Sequence, residues 1–302
     1  MDHLSRYASL IDDFESFLDA CERPLAHTVR VQTSRVSVER VRRAYAEDGI
    51  GCTSLSWDPS ILELDTDVPG RTLPAYLGWV HGQEAVSCLP APLLGVEPGD
   101  RVWDTCAAPG SKSGHLVDLL GDDGLVVSTD DSLGRLSSLR FNLERLGATC
   151  AVVEHADARR FTPRGLGIDT FDAALVDAPC TGEGTVRKNP SALDDWSLEH
   201  VESIGAVQRG ILRRAIELVR PGGRVVYSTC TFAPEENEAV VDAVLRDKSC
   251  ALEPISLPLQ ATPGITEWDG TRYDDRLELT RRVYPHQNDT GGFYLAALRV
   301  SA

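Results

Sequence analysis

Cys180 and Cys230 are the residues of this chain best suited to chemistry. Cys180 stands in Asp177-Ala178-Pro179-Cys180-Thr181-Gly182 and Cys230 in Tyr227-Ser228-Thr229-Cys230-Thr231. An apolar run precedes each, Phe171–Val176 and Gly223–Tyr227. In a parallel α/β sheet, ligands bind at the carboxyl ends of strands. Both thiols are therefore expected in one crevice, although far apart in sequence. A thiolate can attack an electron-poor carbon and divide a difficult reaction into easier steps. A second thiol beside it can assist release of the adduct. A lone cysteine is more often a small buried residue; two at strand ends reverse that expectation.

A second constellation points to a cofactor. The strand Arg101–Asp104 runs into Cys106-Ala107-Ala108-Pro109-Gly110-Ser111-Lys112 and then a helix. Small residues let a ligand approach the backbone, and a helix N-terminus offers free N–H groups. The turn lacks both G-x-G-x-x-G and G-x-x-x-x-G-K-[ST], which disfavours a nicotinamide cofactor and a nucleoside triphosphate. Asp130 follows Gly110 by 20 residues and ends the next strand, where an acid binds ribose hydroxyls. Asp157 follows the third strand, placed for an adenine amino group, and Asp177 ends the fourth. Three acids at successive strand ends after one glycine turn fit an adenosine-bearing ligand, and S-adenosylmethionine fits best.

With that cofactor, the thiols suit methyl transfer to carbon 5 of a pyrimidine. That carbon is a poor nucleophile until a thiolate adds to carbon 6. Cys230 suits the nucleophile, because Pro234-Glu235-Glu236-Asn237 predicts a helix starting there, and a nearby helix N-terminus favours thiolate. Cys180 suits release.

The elements that must position these residues alternate. Strands are expected at 101–104, 125–130, 151–154, 171–177 and 224–229, with helices at 112–120, 132–146, 199–219 and 235–247. This pattern predicts a doubly wound, mainly parallel sheet. A last strand over 293–300 has no helix after it and is expected to be an edge or inserted antiparallel strand. Upstream, residues 2–20 carry helical spacing (Leu4, Tyr7, Leu10, Ile11, Phe14, Leu18), 28–33 and 61–64 read as strands, and Val36–Tyr45 as a helix. The expected division is a small α+β unit over 1–83 and a catalytic domain over 84–302.

Composition narrows the setting. The 302 residues are 42% hydrophobic, which fits a packed globular chain. No apolar run approaches the roughly 20 residues of a membrane span, and no secretory signal is read at the start, so a cytoplasmic protein with no membrane partner is expected. The eight cysteines contain no C-x-x-C pair, so reduced thiols are expected, without a metal site. The net charge is −16 with only three lysines, which predicts a halophilic, high-salt setting.

The motifs resemble those of RNA cytosine-5 methyltransferases of the Nop/Sun (RsmB-like) family, in its archaeal tRNA-type form. Cys106–Lys112 resembles the family's cofactor loop, with Ser111 where a second glycine is usual. Asp130-Asp131-Ser132-Leu133-Gly134-Arg135 resembles the ribose segment. Asp177–Gly184 resembles the first cysteine motif, and Tyr227–Thr231 with Pro234–Glu238 the nucleophile motif. Tyr284-Pro285-His286 and Thr290–Tyr294 resemble the terminal motif. The match spans about 75–302, and Arg30-Val31-Gln32-Thr33 is similar to a strand of the family's N-terminal domain. The resemblance implies a Rossmann-like S-adenosylmethionine-dependent methyltransferase fold behind a small RNA-binding domain. It implies Cys230, Cys180 and Asp177 as catalytic, and Cys106, Ala107, Ala108, Pro109, Gly110, Ser111, Lys112, Asp130, Arg135, Asp157 and Asp177 as cofactor-binding. It implies an RNA partner, tRNA before rRNA; a monomer is expected.

Two other readings stand beside this one. A non-catalytic RNA-binding assembly factor would need neither thiol, and a DNA cytosine methyltransferase would take its nucleophile from the first cysteine motif. Arg30, Arg35, Arg40, Arg42 and Arg43, with Arg187-Lys188, are expected to line one phosphate-binding groove on an otherwise acidic surface.

Overall fold

One mixed sheet of nine strands carries the chemistry-bearing loops. The structure is a computed structural model that describes residues 2–194, 196–247 and 249–301. In chain order its small N-terminal part contains α1 (Phe14–Glu22), β1 (His27–Val31), α2 (Val38–Glu47), β2 (Cys52–Ser54), β3 (Ile61–Leu64), α3 (Leu73–Tyr76) and β4 (Val80–Gly82). The larger part follows with α4 (Pro90–Leu93), β5 (Arg101–Asp104), α5 (Ser111–Leu119), β6 (Leu125–Asp130), α6 (Leu133–Leu146), β7 (Ala151–His155) and β8 (Phe171–Asp177). It continues through α7 (Leu198–Leu218), β9 (Val219–Thr229), α8 (Glu238–Leu245), β10 (Cys250–Glu253), β11 (Thr262–Pro263), β12 (Glu267–Trp268) and β13 (Thr271–Arg272). Strand β14 (Arg281–Val283), α9 (Pro285–Asn288) and β15 (Phe293–Val300) close the chain.

The sheet order is β11-β14-β15-β9-β8-β5-β6-β7, with β10 also paired to β15. Strands β7, β6, β5, β8 and β9 are parallel, and β15 is inserted antiparallel beside β9. Neighbouring residues alternate between two apolar layers. Trp103, Val127, Ala174 and Val225 face one core; Val102, Val126, Ala173 and Val226 face the other. With both faces covered, strands need apolar residues at every position, which is why they read as continuous runs. Each buried aliphatic side chain contributes about 1.5–3 kcal/mol. The expected Rossmann-like α/β fold is the fold observed.

Strand β9 begins at Val219, ahead of the expected 224, and two further departures bear on the site. Residues 2–20 do not form one helix: a 3-10 turn over Asp2–Tyr7 is separated from α1 by a break at Asp13. Asp13 takes φ 52° and its side chain accepts the Ser16 N–H, capping a new helix. This segment packs away from the small sheet. Leu4, Tyr7, Ile11 and Phe17 share a core with Val186, Phe232 and Tyr284 of the larger part. The four-stranded sheet has its own core over Val29–Val80.

The second difference is at α8, which starts at Glu238 and not at Pro234. The side chain of Asn237 donates to Thr231 O and accepts from Thr229 Oγ1, and Glu236 is drawn to Thr181. These side chains tie residues 234–237 to the cysteine loops in a turn, and the helix begins only after them.

Candidate active site

The first half of the site is the turn from β5 into α5. Gly110 caps α5 at φ 105°, and a Cβ there would stand 3.0 Å from Leu139 Cδ1. Only glycine takes this conformation without strain. Ser111 Oγ is 2.8 Å from His81 Nε2, and Arg145 donates to His81 Nδ1. Arginine has no acceptor, so His81 Nδ1 accepts and Nε2–H donates to Ser111. Burial, then Arg30 and Arg145, push the His81 imidazole down to about 3, so it is neutral. The serine in this turn is therefore held by a strand of the N-terminal sheet, and its own O–H is left to donate elsewhere.

Lys112 follows on the same helix turn. Its Nζ lies 2.8 Å from Asp177 Oδ2 and donates to Ser87 Oγ. Burial lowers the Lys112 pKa, but Asp177, Cys230 and Asp104 outweigh that and raise it. Asp177 ends β8 and its other oxygen accepts from Ser228 on β9. Cys230 follows β9, and its Sγ stands 3.3 Å from Cys180 Sγ. The bond to Cys230 and burial raise the Cys180 thiol well above its ordinary value, so Cys180 keeps the proton. The helix start expected to act on Cys230 is displaced to Glu238; the cation facing this thiol is Lys112.

The loops are packed backbone to backbone. Gly184 N donates to Cys230 O, and Gly292 N donates to Gly184 O. A Cβ on Gly184 would stand 2.4 Å from Gly292 O, so the first cysteine motif and the terminal motif can meet only through glycine.

A cavity of about 230 Å³ is enclosed by these parts. It is lined by the cofactor turn from Cys106 to Lys112 with the exception of Gly110, by Asp177 and Cys230, and by Asp104, Glu84, Lys188 and Phe293. Cys106 also borders a second, smaller cavity lined by Asp130, Asp131, Arg135 and Asp157. Both cavities are edged with carboxylates, which suit a ligand that brings cationic or hydroxyl donors. Asp104 supplies the best reason: its Oδ1 is buried with no partner among the described residues, and burial pushes its carboxyl up to about 7. A buried acid with a free oxygen calls for a donor or cation from a ligand.

The sequence-read residues fall on both sides of this pair of cavities. Asp130 is 2% exposed and accepts the N–H groups of Ala108 and Ser132, so it ties the turn after β5 to the end of β6. Arg135 donates to Ala108 O and lies 3.6 Å from Asp130. Asp157 is gripped by the Arg159 guanidinium, which holds its carboxyl below the usual range. Cys180 lies behind Cys230, away from the larger cavity's lining.

Asp104 and Glu84 escaped the sequence reading, and Lys188, expected in the RNA phosphate groove, lines the larger cavity. Asp104 carried the signal used for Asp130 and Asp177, an acid at a strand end. Glu84 carried none; it is recognised by accepting Gly291 N from across the fold.

Two arginines expected on RNA are structural. Arg30 is buried, paired with Asp118 at 3.3 Å and bonded to Gln83. Arg187 is buried and donates to Arg23 O, Pro24 O, Thr290 O and Asp289. Each fixes the N-terminal segment to the larger part. Arg35 donates to Leu146 O at the end of α6. Arg40, Arg42 and Arg43 remain exposed on α2, with Arg40 stacked 4.9 Å over Trp79.

Comparison with known proteins gives the family. The family described as 16S rRNA methyltransferase RsmB/F matches residues 91–299. A tRNA (cytosine(49)-C(5))-methyltransferase of Pyrococcus abyssi is 33% identical over 98% of this chain and 94% of its own. Ribosomal RNA small subunit methyltransferase F of Escherichia coli is 36% identical over 95% of this chain, which spans 59% of that enzyme. A crystal structure of a methyltransferase homologue from Pyrococcus horikoshii superposes with a TM-score of 0.82 at 30% identity, covering 94% of this chain and 90% of that one. An NSun6 structure from the same organism, solved with SFG, shares the fold at a TM-score of 0.81 and 24% identity, over 95% and 94% of the two chains. The chain belongs to the RsmB/F methyltransferase family.

Proposed function

We propose that this chain transfers the methyl group of S-adenosylmethionine to carbon 5 of cytidine in RNA, with tRNA as its substrate. The single observation that carries the reading is the 3.3 Å approach of Cys180 and Cys230, with Cys230 and Asp177 on the wall of the cofactor-sized cavity. An assembly factor would have no use for that pair. The match to a tRNA enzyme over nearly the whole of both chains supports tRNA.

Asp104 and the turn from Cys106 to Lys112 hold the amino-acid end of the cofactor, and Asp130, Arg135 and Asp157 its adenosine end. The cofactor supplies the electrophilic methyl. The Cys230 thiolate adds to carbon 6 of the cytosine, and the displaced electron pair gives carbon 5 its nucleophilicity. Asp177, held by Lys112 and Ser228, meets the polar edge of the base. After transfer, the carbon 5 proton passes to solvent water as base, its bonding pair re-forms the C5–C6 double bond, and the C6–S bond breaks with its pair on Cys230; the Cys180 thiol assists by donating a hydrogen bond to the departing Cys230 sulfur. Cys180 keeps its proton and lies outside the lining of the larger cavity while Cys230 is on its wall, so the two thiols have separate tasks.

No helix among the described residues is long and apolar enough to cross a membrane. We take the chain as a cytoplasmic monomer, and its acidic, lysine-poor composition supports a salt-rich setting. The test is methylation of purified tRNA and ribosomal RNA by the purified chain, read by bisulfite sequencing. Protected cytidines in tRNA alone are expected. Protection in ribosomal RNA alone would reassign the substrate, and protection in neither would end the reading.

A further inference from the structure

Behind the two thiols runs a chain of oxygen atoms, buried except at the half-buried Thr181. Glu236 Oε1 lies 2.5 Å from Thr181 Oγ1, Thr181 Oγ1 lies 3.0 Å from Thr231 Oγ1, and Thr231 Oγ1 lies 2.8 Å from Glu183 Oε2. Thr181 and Thr231 are the residues that follow Cys180 and Cys230. Glu183 and Glu236 are both fully buried.

Hydrogen counting decides how this chain works. Three oxygen–oxygen contacts need three hydrogens, and the two threonine hydroxyls supply two. The third must come from a carboxylic acid at one end. Glu183 Oε2, the oxygen facing Thr231, already accepts the Phe232 N–H, and Tyr7 O–H also donates to this carboxylate. Glu236 differs. Its two N–H donors, Thr181 N and Gln208 Nε2, both fall on Oε2, and Oε1 faces Thr181 alone. The hydrogen therefore belongs on Glu236 Oε1. Burial, which pushes this carboxyl up to about 7, agrees. The direction of the chain is Glu236 to Thr181 to Thr231 to Glu183.

We propose that Glu236, as a neutral acid, is the positioning residue of the release step: it donates into the Thr181–Thr231–Glu183 chain and so locks the Cys180 loop onto the Cys230 loop. Gln208 completes the clamp, donating both to Pro179 O before Cys180 and to Glu236. The backbone on each side of Cys180 is thus fixed from one buried pair, Gln208 and Glu236. Glu236 touches neither cofactor nor base, so its effect passes through Cys180. The inference rests on the assignment of Cys180 to release.

The experiment uses the full chain, S-adenosylmethionine and an RNA that wild type methylates. It compares the protein–RNA adduct that survives denaturation with released methylated RNA. Loss of one hydrogen bond to a charged or strongly polar partner corresponds to about tenfold. Glu236→Ala and Thr181→Val should each raise the adduct by about that factor, with cofactor affinity unchanged. Glu236→Gln keeps an N–H donor toward Thr181 and an acceptor for the two N–H groups, so it should restore release. A role in folding alone would not divide adduct from product in this way, nor be rescued by an uncharged amide. If Glu236→Ala does not fold, Thr181→Val decides. The inference falls if Glu236→Gln accumulates adduct like Glu236→Ala, because a negative charge was then required. It falls alone if Cys180→Ala traps adduct and Thr181→Val does not. If Cys180→Ala traps none, the release assignment falls and takes the inference with it.

Discussion

Lys112 Nζ and Asp177 Oδ2 meet at 2.8 Å, joining the first turn of α5 to the end of β8. The pair links the cofactor turn to the loop that carries Cys180, and Lys112 also faces Cys230. Removing one partner of a buried pair leaves the other charge uncompensated. Because Asp177 is partly exposed, Lys112→Met should cost about 1–3 kcal/mol of stability, less than for a fully buried pair. Covalent adduct formation should slow by about tenfold or more, because the cation facing the thiolate is gone. Thermal melting and rapid-quench adduct assays test both parts; a wild-type rate of adduct formation would remove Lys112 from the activation of Cys230.

Cys230→Ala should abolish methyl transfer and leave S-adenosylmethionine binding within a few-fold, since the thiol lines the cavity without holding the turn. Cys180→Ala should trap an RNA adduct on denaturing gels, and the double variant should show none. Methylation at the wild-type rate by Cys230→Ala would refute the nucleophile assignment.

Asp104 gives a pH dependence with a defined sign. Burial first, and then Asp177 and Asp130, raise its carboxyl to about 7 in the folded chain, against about 4 when unfolded. The folded state thus holds a proton that the unfolded state has lost, and this group's contribution to stability declines as pH rises from about 4 to 7. A cationic ligand group needs the ionised acid, so cofactor affinity should move the other way. It should fall about fivefold from pH 7 to pH 6. Calorimetry across that range should show the slope in wild type and its loss in Asp104→Asn; an equal slope in both would place the titrating group elsewhere.

Asp130 accepts two loop amides, and each such charge-assisted bond contributes about 1.5–3 kcal/mol. Asp130→Ala should weaken S-adenosylmethionine binding by roughly ten- to a hundredfold. Its exposed neighbour offers a control: Asp131→Ala should have a smaller effect. The reverse ranking in calorimetry would transfer the ribose contact to Asp131.

RNA binding should depend on the arginines that remain exposed. No ion pair involves Arg40, Arg42 or Arg43 among the described residues, so they are available to phosphates. Replacing all three should weaken RNA binding and flatten the plot of log affinity against log salt by about two to three units, somewhat less for single strands. Cofactor affinity should not change. Filter binding over a salt series would refute this surface if the triple variant followed the wild-type line.

Strand–loop–helix units were legible from residue types alone, because a strand covered on both faces must be apolar throughout and must end where polar residues begin. That local rule placed Asp104, Asp130 and Asp177 at strand ends, and both cysteines just beyond. Residue types leave the last strand open between an edge and an inserted place, and tertiary structure sets β15 antiparallel between β14 and β9. Tertiary structure decided what each polar side chain does there. Arg30 and Arg187 have the composition of phosphate contacts and the burial of core residues, because Asp118 and a set of carbonyl oxygens reach them from distant segments. Pro234–Asn237 has the local preference of a helix start, but Glu236 and Asn237 are taken by Thr181 and Thr231. The 3.3 Å approach of Cys180 and Cys230 belongs to neither motif alone. It arises where β8 and β9 run parallel and their loops are packed through Gly184, a contact between residues that no local spacing brings together.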